Sequence, residues 1–213
     1  MKKLIFLISL VFISGCVTLT SNPRYIQTYP TELNNIWANI KKVPLKKEYS
    51  YKIVSSKDTT LPGVPQINGN QILLSDTFID YVYKYYYNYS ARIFLCLFLH
   101  EICHTEYGLN DKPPETHYLV DKQAINLLPN LYYDIKDYYN FLVVLESYAD
   151  SLIAGKKFIN TMRNVVNLAT YLYIGFGTYQ EFSYDVNIRR NMLRKEYPNS
   201  KFTFKRSSFS KSN

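Results

Sequence analysis

The sequence predicts an α+β chain, mainly helical, with a small β-sheet or hairpin packed on one buried helix. Three observations predict it. Apolar residues recur at helical spacing through most of the chain, and a short alternating run and an Asn-Gly pair interrupt them between residues 48 and 75. After these comes a nearly all-apolar stretch, "ARIFLCLFL", that runs straight into "HEICH". A chain of 213 residues, 47% of them hydrophobic, suits one domain rather than two.

The N-terminus is set apart from the fold. Met1-Lys2-Lys3 is a basic start, and "LIFLISLVFI" (4–13) is too short to span a bilayer but has the length of a signal-peptide core. The following Ile13-Ser14-Gly15-Cys16 resembles the lipobox of bacterial lipoproteins. That resemblance implies a signal peptide over 1–15, a diacylated Cys16 and a lipid-anchored linker over 16–30. It also implies a place in the bacterial cell envelope, outside the cytoplasm, with two acyl chains enough for stable anchoring. Residue 17 is valine rather than aspartate, so the usual inner-membrane retention signal is absent, which points to the outer membrane or periplasmic face in a two-membrane cell. An ordinary secretory signal with an incidental cysteine is the plainer alternative. No later segment reaches about 18 unbroken apolar residues, so no transmembrane helix is expected.

The elements follow in order within a domain over 31–198. Thr31 can cap a helix to about residue 42, with Leu33, Ile36, Trp37 and Ile40 on one face. Residues 48–56 alternate as a half-buried strand, and 65–75 read as a hairpin turning at Asn68-Gly69 with "QILL" as its second strand. Ser75 or Asp76 can cap a helix through a tyrosine cluster, Tyr81 to Tyr89. In a chain with 22 tyrosines this reads as packing before it reads as a glycan-binding surface. Ser90 begins the central helix and Gly108 is placed to end it. Residues 110–116 are a loop, because Pro113-Pro114 cannot continue a helix. A short helix over 117–128 stops at Pro129. A long one follows from 136, broken by Gly175 and Gly177, and a last one covers 184–197. The tail, 199–213, is basic and reads as disordered.

Composition narrows the function. The net charge of +8 comes from scattered basic residues, which suits an anionic envelope and argues against nucleic acid. Cys96 and Cys103, seven apart on one helix, are separated by about 10.5 Å of rise. A disulfide needs less than about 7 Å between Cα atoms, so they are small buried hydrophobes rather than a pair.

The chemistry lies in His100-Glu101-Ile102-Cys103-His104. Residues i and i+4 share a helix face, so His100 and His104 can aim at one ion while Glu101 reaches a neighbouring direction as general base. Two histidines and a glutamate on a buried helix are costly without a purpose. The chain has only three histidines, and the third, His117, is nearby across a proline-containing turn.

"VPQINGNQILLSDTFIDYV…ARIFLCLFLHEICH" resembles the core of zincin metallopeptidases, especially the HtpX- and BepA-type peptidases. "HYLVDKQAINLLPNLYYD" resembles their next block and that of the ImmA/IrrE-type peptidases. The likeness covers roughly residues 50–140. It implies a zincin-like domain with one Zn2+ ion, held by His100, His104 and His117, that hydrolyses a peptide or protein substrate. Asp121 would then be the carboxylate that orients a ligand histidine, although it also reads as a solvated helix charge. The family's third ligand is usually glutamate, and "ESYADSLIAG" offers Glu146 and Asp150 at the same four-residue interval, with Ala154 one position later than its counterpart, so Glu146 stands as the alternative third ligand. "FSYDVNIRRNMLRKEYP" is a worn likeness of the family's C-terminal His-Pro…Arg block. Ser183 or Tyr184 stands for its histidine and Arg189 or Arg190 for its arginine; Tyr184 and Arg190 are the oxyanion stabilisers taken forward. The resemblance implies a membrane-anchored zinc metalloendopeptidase, with a substrate strand added along "NQILL". The alternative is a catalytically inactive envelope lipoprotein of the same fold, acting as chaperone or scaffold.

Overall fold

A computed structural model of the chain describes residues 29–59, 63–109, 114–164, 173–199 and 201–205. The leader and Cys16 lie outside them. The chain divides into two units, Met1–Glu32 and Leu33–Asn213, and apart from the first four residues of the opening helix all that follows concerns the second.

The architecture is α+β and mainly helical. Helix α1 (Tyr29–Ile40) is followed by strand β1 (Ser50–Val54), then β2 (Gln66–Asn68) and β3 (Gln71–Ser75). Helices α2 (Asp76–Tyr86), α3 (Ser90–Glu106), α4 (Pro114–Leu127), α5 (Ile135–Asn164) and α6 (Tyr173–Glu196) complete the described elements. The sheet has the order β1-β3-β2, with β1 parallel to β3 and β2 antiparallel to it. The hairpin forms as expected: Asn68 pairs with Gln71, and Gly69 takes a φ of 59° that a side chain would resist. No helix among the described residues is long and apolar enough to cross a membrane.

Helix α3 is the centre of the fold. From Ile93 to Cys103 every side chain is buried, Cys96 and Cys103 included as free thiols. Aromatic edges pack around it: Trp37 and Tyr51 meet Phe98 at 5.1 and 5.3 Å between ring centres, and Phe78 meets Phe94 at 6.2 Å. Tyr81, Tyr83 and Tyr86 of the tyrosine cluster are buried in this core, as the packing reading expected. The end of α3 is tied to the sheet, because Thr105 Oγ1 donates to Gly69 O at 2.9 Å and Tyr49 donates to Glu106 at 2.7 Å.

Several boundaries differ from the sequence reading. Helix α4 begins at Pro114, three residues before the expected start, because the first turn of a helix has no use for the N–H that proline lacks. Helix α6 begins at Tyr173 and runs through Gly175 and Gly177; each glycine costs only about 1 kcal/mol in a helix and forbids nothing. "QILL" is the central strand rather than an edge, with partners on both sides, so the edge strands of the described sheet are β1 and β2. Part of the tail is also packed. Phe204 is buried and stacks on Tyr89 at 4.1 Å, while Asn140 exchanges two hydrogen bonds with Thr203.

Candidate metal centre

The site begins with how α3 ends. Gly108, with a φ of 66°, turns the chain back so that the Leu109 N–H donates to His104 O at 2.9 Å, closing the last turn. The same turn brings Leu109 O within 2.7 Å of His104 Nδ1. One turn earlier, the buried His100 presents Nδ1 to Asp121 Oδ1 of α4 and to the Tyr138 hydroxyl of α5, each at 3.0 Å. His117, in the first turn of α4, presents Nδ1 to Asp185 Oδ2 of α6 at 3.0 Å.

All three histidines therefore have Nδ1 against a protein acceptor, and the hydrogen-bond network assigns the ring hydrogen to that nitrogen. In a neutral ring so placed, Nε2 is the lone pair. His100 and His104 bring their Nε2 atoms to 3.2 Å of each other. Two lone pairs at that distance repel unless a proton or a cation lies between them. Protonation is disfavoured, since burial pushes the His100 pKa down to about 3, with the Arg189 charge adding to it, and pushes His104 down to about 4. A cation fits better. Imidazoles bound to one tetrahedral zinc at about 2.0–2.1 Å have those nitrogens about 3.3 Å apart and ring centres about 5 Å apart. The ring centres here are 4.8 Å apart for His100 and His104, 5.1 Å for His104 and His117, and 6.3 Å for His100 and His117. His117 is thus about an ångström too far from His100 for a closed three-ligand set. In keeping with that, no group of three His, Cys, Asp or Glu among the described residues surrounds a ready-made metal position.

No protein-family model, no curated protein and no solved structure matches this chain. What it can do is therefore read from its own geometry.

Glu101 is buried beside the pair. Burial raises its carboxyl to about 8, against the opposing pull of the Arg189 charge and of the Ile67 backbone N–H on β2. Such a carboxyl can both take and return a proton near neutral pH. Asp121 is wholly buried. Burial alone would raise its pKa, but Arg189 and the hydrogen bonds from His100 and Arg189 outweigh this and hold it below the usual carboxylate range. Asp185 is lowered in the same way, its burial outweighed by His117 and Arg189.

The rival residues lie elsewhere. Glu146 sits two turns along α5 from Tyr138, about 12 Å of rise. Its oxygens are already engaged, one by Asn187 Nδ2 at 2.6 Å and the other by Arg190 Nη1 at 2.9 Å. That pairing also takes Arg190 away from the histidines, so it is not placed to steady an oxyanion there. Tyr184 is 67% exposed and lines, with Glu146, Ser183 and Asn187, a cavity of about 540 Å³ that none of the histidines borders. Arg189, the neighbour, is the arginine that enters the cluster, and it is only 1% exposed. Its Nε and Nη2 donate to the two oxygens of Asp121 at 2.8 and 2.7 Å, and its Nη1 to Asp185 Oδ2 at 3.0 Å.

Sequence reasoning passed over Asp185 and Tyr138. Asp185 left a trace, being an acid four residues before Arg189 on one helix, where a buried arginine requires a partner. Tyr138 left none in a chain so rich in tyrosine.

Proposed function

We propose that this chain is a zinc-dependent metalloendopeptidase of zincin-like fold, tethered to the bacterial envelope through Cys16. The observation that carries the reading is the convergence of three histidines, each oriented through Nδ1, beside a buried glutamate. His100 and His104 would hold the ion, and His117 would complete the set by closing about an ångström on His100. What zinc supplies when bound is Lewis acidity, which lets water lose a proton near neutral pH. Glu101 accepts that proton and returns it to the nitrogen of the departing amine, a transfer suited to a carboxyl poised between its two states. Asp121 and Tyr138 keep the His100 ring in the tautomer that leaves Nε2 free. An extended substrate would align beside β2, the edge strand whose Ile67 N–H reaches Glu101. The anchoring rests on the leader sequence alone.

One observation favours the inactive alternative. Tyr184 lines a cavity that the histidines do not border, Arg190 pairs with Glu146, and Arg189 donates to carboxylates, so none of these three is placed to steady an oxyanion. A single experiment separates the two. Protein purified without chelator is assayed for zinc and for cleavage of an unfolded protein such as casein, as wild type and as Glu101→Gln. The enzyme reading expects about one zinc in both and a loss of about 10²–10⁴-fold in rate in the variant. Zinc without cleavage in the wild type would leave the scaffold reading, and a wild type without zinc would remove both.

A further inference from the structure

We propose that Asp185 is the positioning residue that allows a histidine to serve as third metal ligand, and that His117 and Asp185 work as a matched pair. This rests on the metal reading above. A carboxylate ligand offers two equivalent oxygens and needs no tautomer chosen for it. An imidazole at the same place works only if its hydrogen is on the outer nitrogen and its ring is held in plane with the ion.

Helix α4 cannot meet that need alone. Its own carboxylate, Asp121, lies one turn beyond His117 but is committed to His100 and to two donors of Arg189. His117 sits in the first turn of α4 with its side chain 24% exposed, where a ring without a partner is free to turn. Asp185 reaches it from α6, 68 residues further along the chain. The carboxylate is fixed in turn by Arg189, whose planar fork holds Asp121 with two donors and Asp185 with the third. One buried guanidinium thus holds in place the two carboxylates that face His100 and His117.

A further feature marks this as more than a helix ion pair. Asp185 Oδ1 is buried without a hydrogen-bond partner, an arrangement proteins avoid. Both polar contacts of the side chain, from His117 and from Arg189, fall on Oδ2. The carboxylate is therefore aimed at the imidazole at the expense of its other oxygen.

The test is zinc affinity by chelator competition, together with the tautomer of His117 in the metal-free protein by nitrogen NMR. Asp185→Ala should weaken zinc by 10–100-fold, the range for losing such a partner, and His117 should lose its preference for Nδ1–H. Asp185→Asn should stay within about threefold of wild type, since its amide oxygen still accepts from Nδ1 and its NH₂ takes the place of the unpaired Oδ1. His117→Glu sets a second carboxylate against Asp185 and should weaken zinc; adding Asp185→Ala to it should strengthen zinc rather than weaken it further. That reversal of sign is what a merely structural residue would not produce. Wild-type affinity in a folded Asp185→Ala, or the same loss in both backgrounds, overturns the pairing alone. Absence of zinc from the wild type overturns the metal reading beneath it.

Discussion

Two blocks of this chain share a four-residue step from candidate ligand to carboxylate and have opposite fates. In α4, His117, Asp121 and Ala124 stand at intervals of four and three; in α5, Glu146, Asp150 and Ala154 stand at four and four, close enough to compete in sequence. In the structure Asp121 and Ala124 are both 0% exposed, and Asp121 touches a histidine, a tyrosine and an arginine. Asp150 and Ala154 are exposed, and Asp150 accepts from Ser183 rather than from a histidine or arginine among the described residues. The adjacent arginines repeat the lesson, Arg189 buried between two carboxylates and Arg190 a quarter exposed on Glu146. Spacing proposes a carboxylate for orienting a ligand; burial beside a histidine decides which one can do it, because a carboxylate in water neither holds a tautomer nor needs a partner.

The largest way to break the comparison is at the ligand position. His117→Gln should weaken zinc by at least about a hundredfold, beyond what losing an outer partner costs, while Glu146→Gln should leave it unchanged. Metal content after dialysis reads both, and the reverse pattern would move the site to α5.

Next are the two arginines. Arg189→Met leaves Asp121 and Asp185 buried without their counter-charge, a change that costs about 3–5 kcal/mol in urea unfolding. Arg190→Met breaks only a partly exposed pair and should cost under about 1 kcal/mol. Equal costs would mean that the cluster around Arg189 is not the buried network described above.

The smallest effect sharpens the picture. Tyr138→Phe removes the hydroxyl that donates to Asp121 at 2.7 Å and should cost about 1 kcal/mol, with zinc affinity falling less than tenfold. Tyr184→Phe, on an exposed side chain, should change neither stability nor zinc affinity.

Much of this was legible beforehand. The hairpin, the buried helix and its glycine stop follow from local rules, since an Asn-Gly turn, an apolar run and a positive φ each act within a few residues. So did the histidine pair, fixed by helix periodicity, and Asp121. Non-local relations were harder to read. That β1 would pair with β3 and enclose "QILL" depends on a strand some twenty residues away. Which of two adjacent arginines turns inward depends on the rotation of α6, and the run through Gly175 and Gly177 hid where that helix begins. Asp185 escaped notice because its role exists only once α4 and α6 meet.

That last meeting also sets an order of events during synthesis. Arg189 lies 89 residues after His100 and 68 after Asp121. At about 5–20 residues per second, the ribosome adds the stretch from His117 to Arg189 over roughly ten seconds. During that interval the histidines of α3 exist without the guanidinium and carboxylate of α6. The cluster is therefore complete only when the far end of the chain is in place.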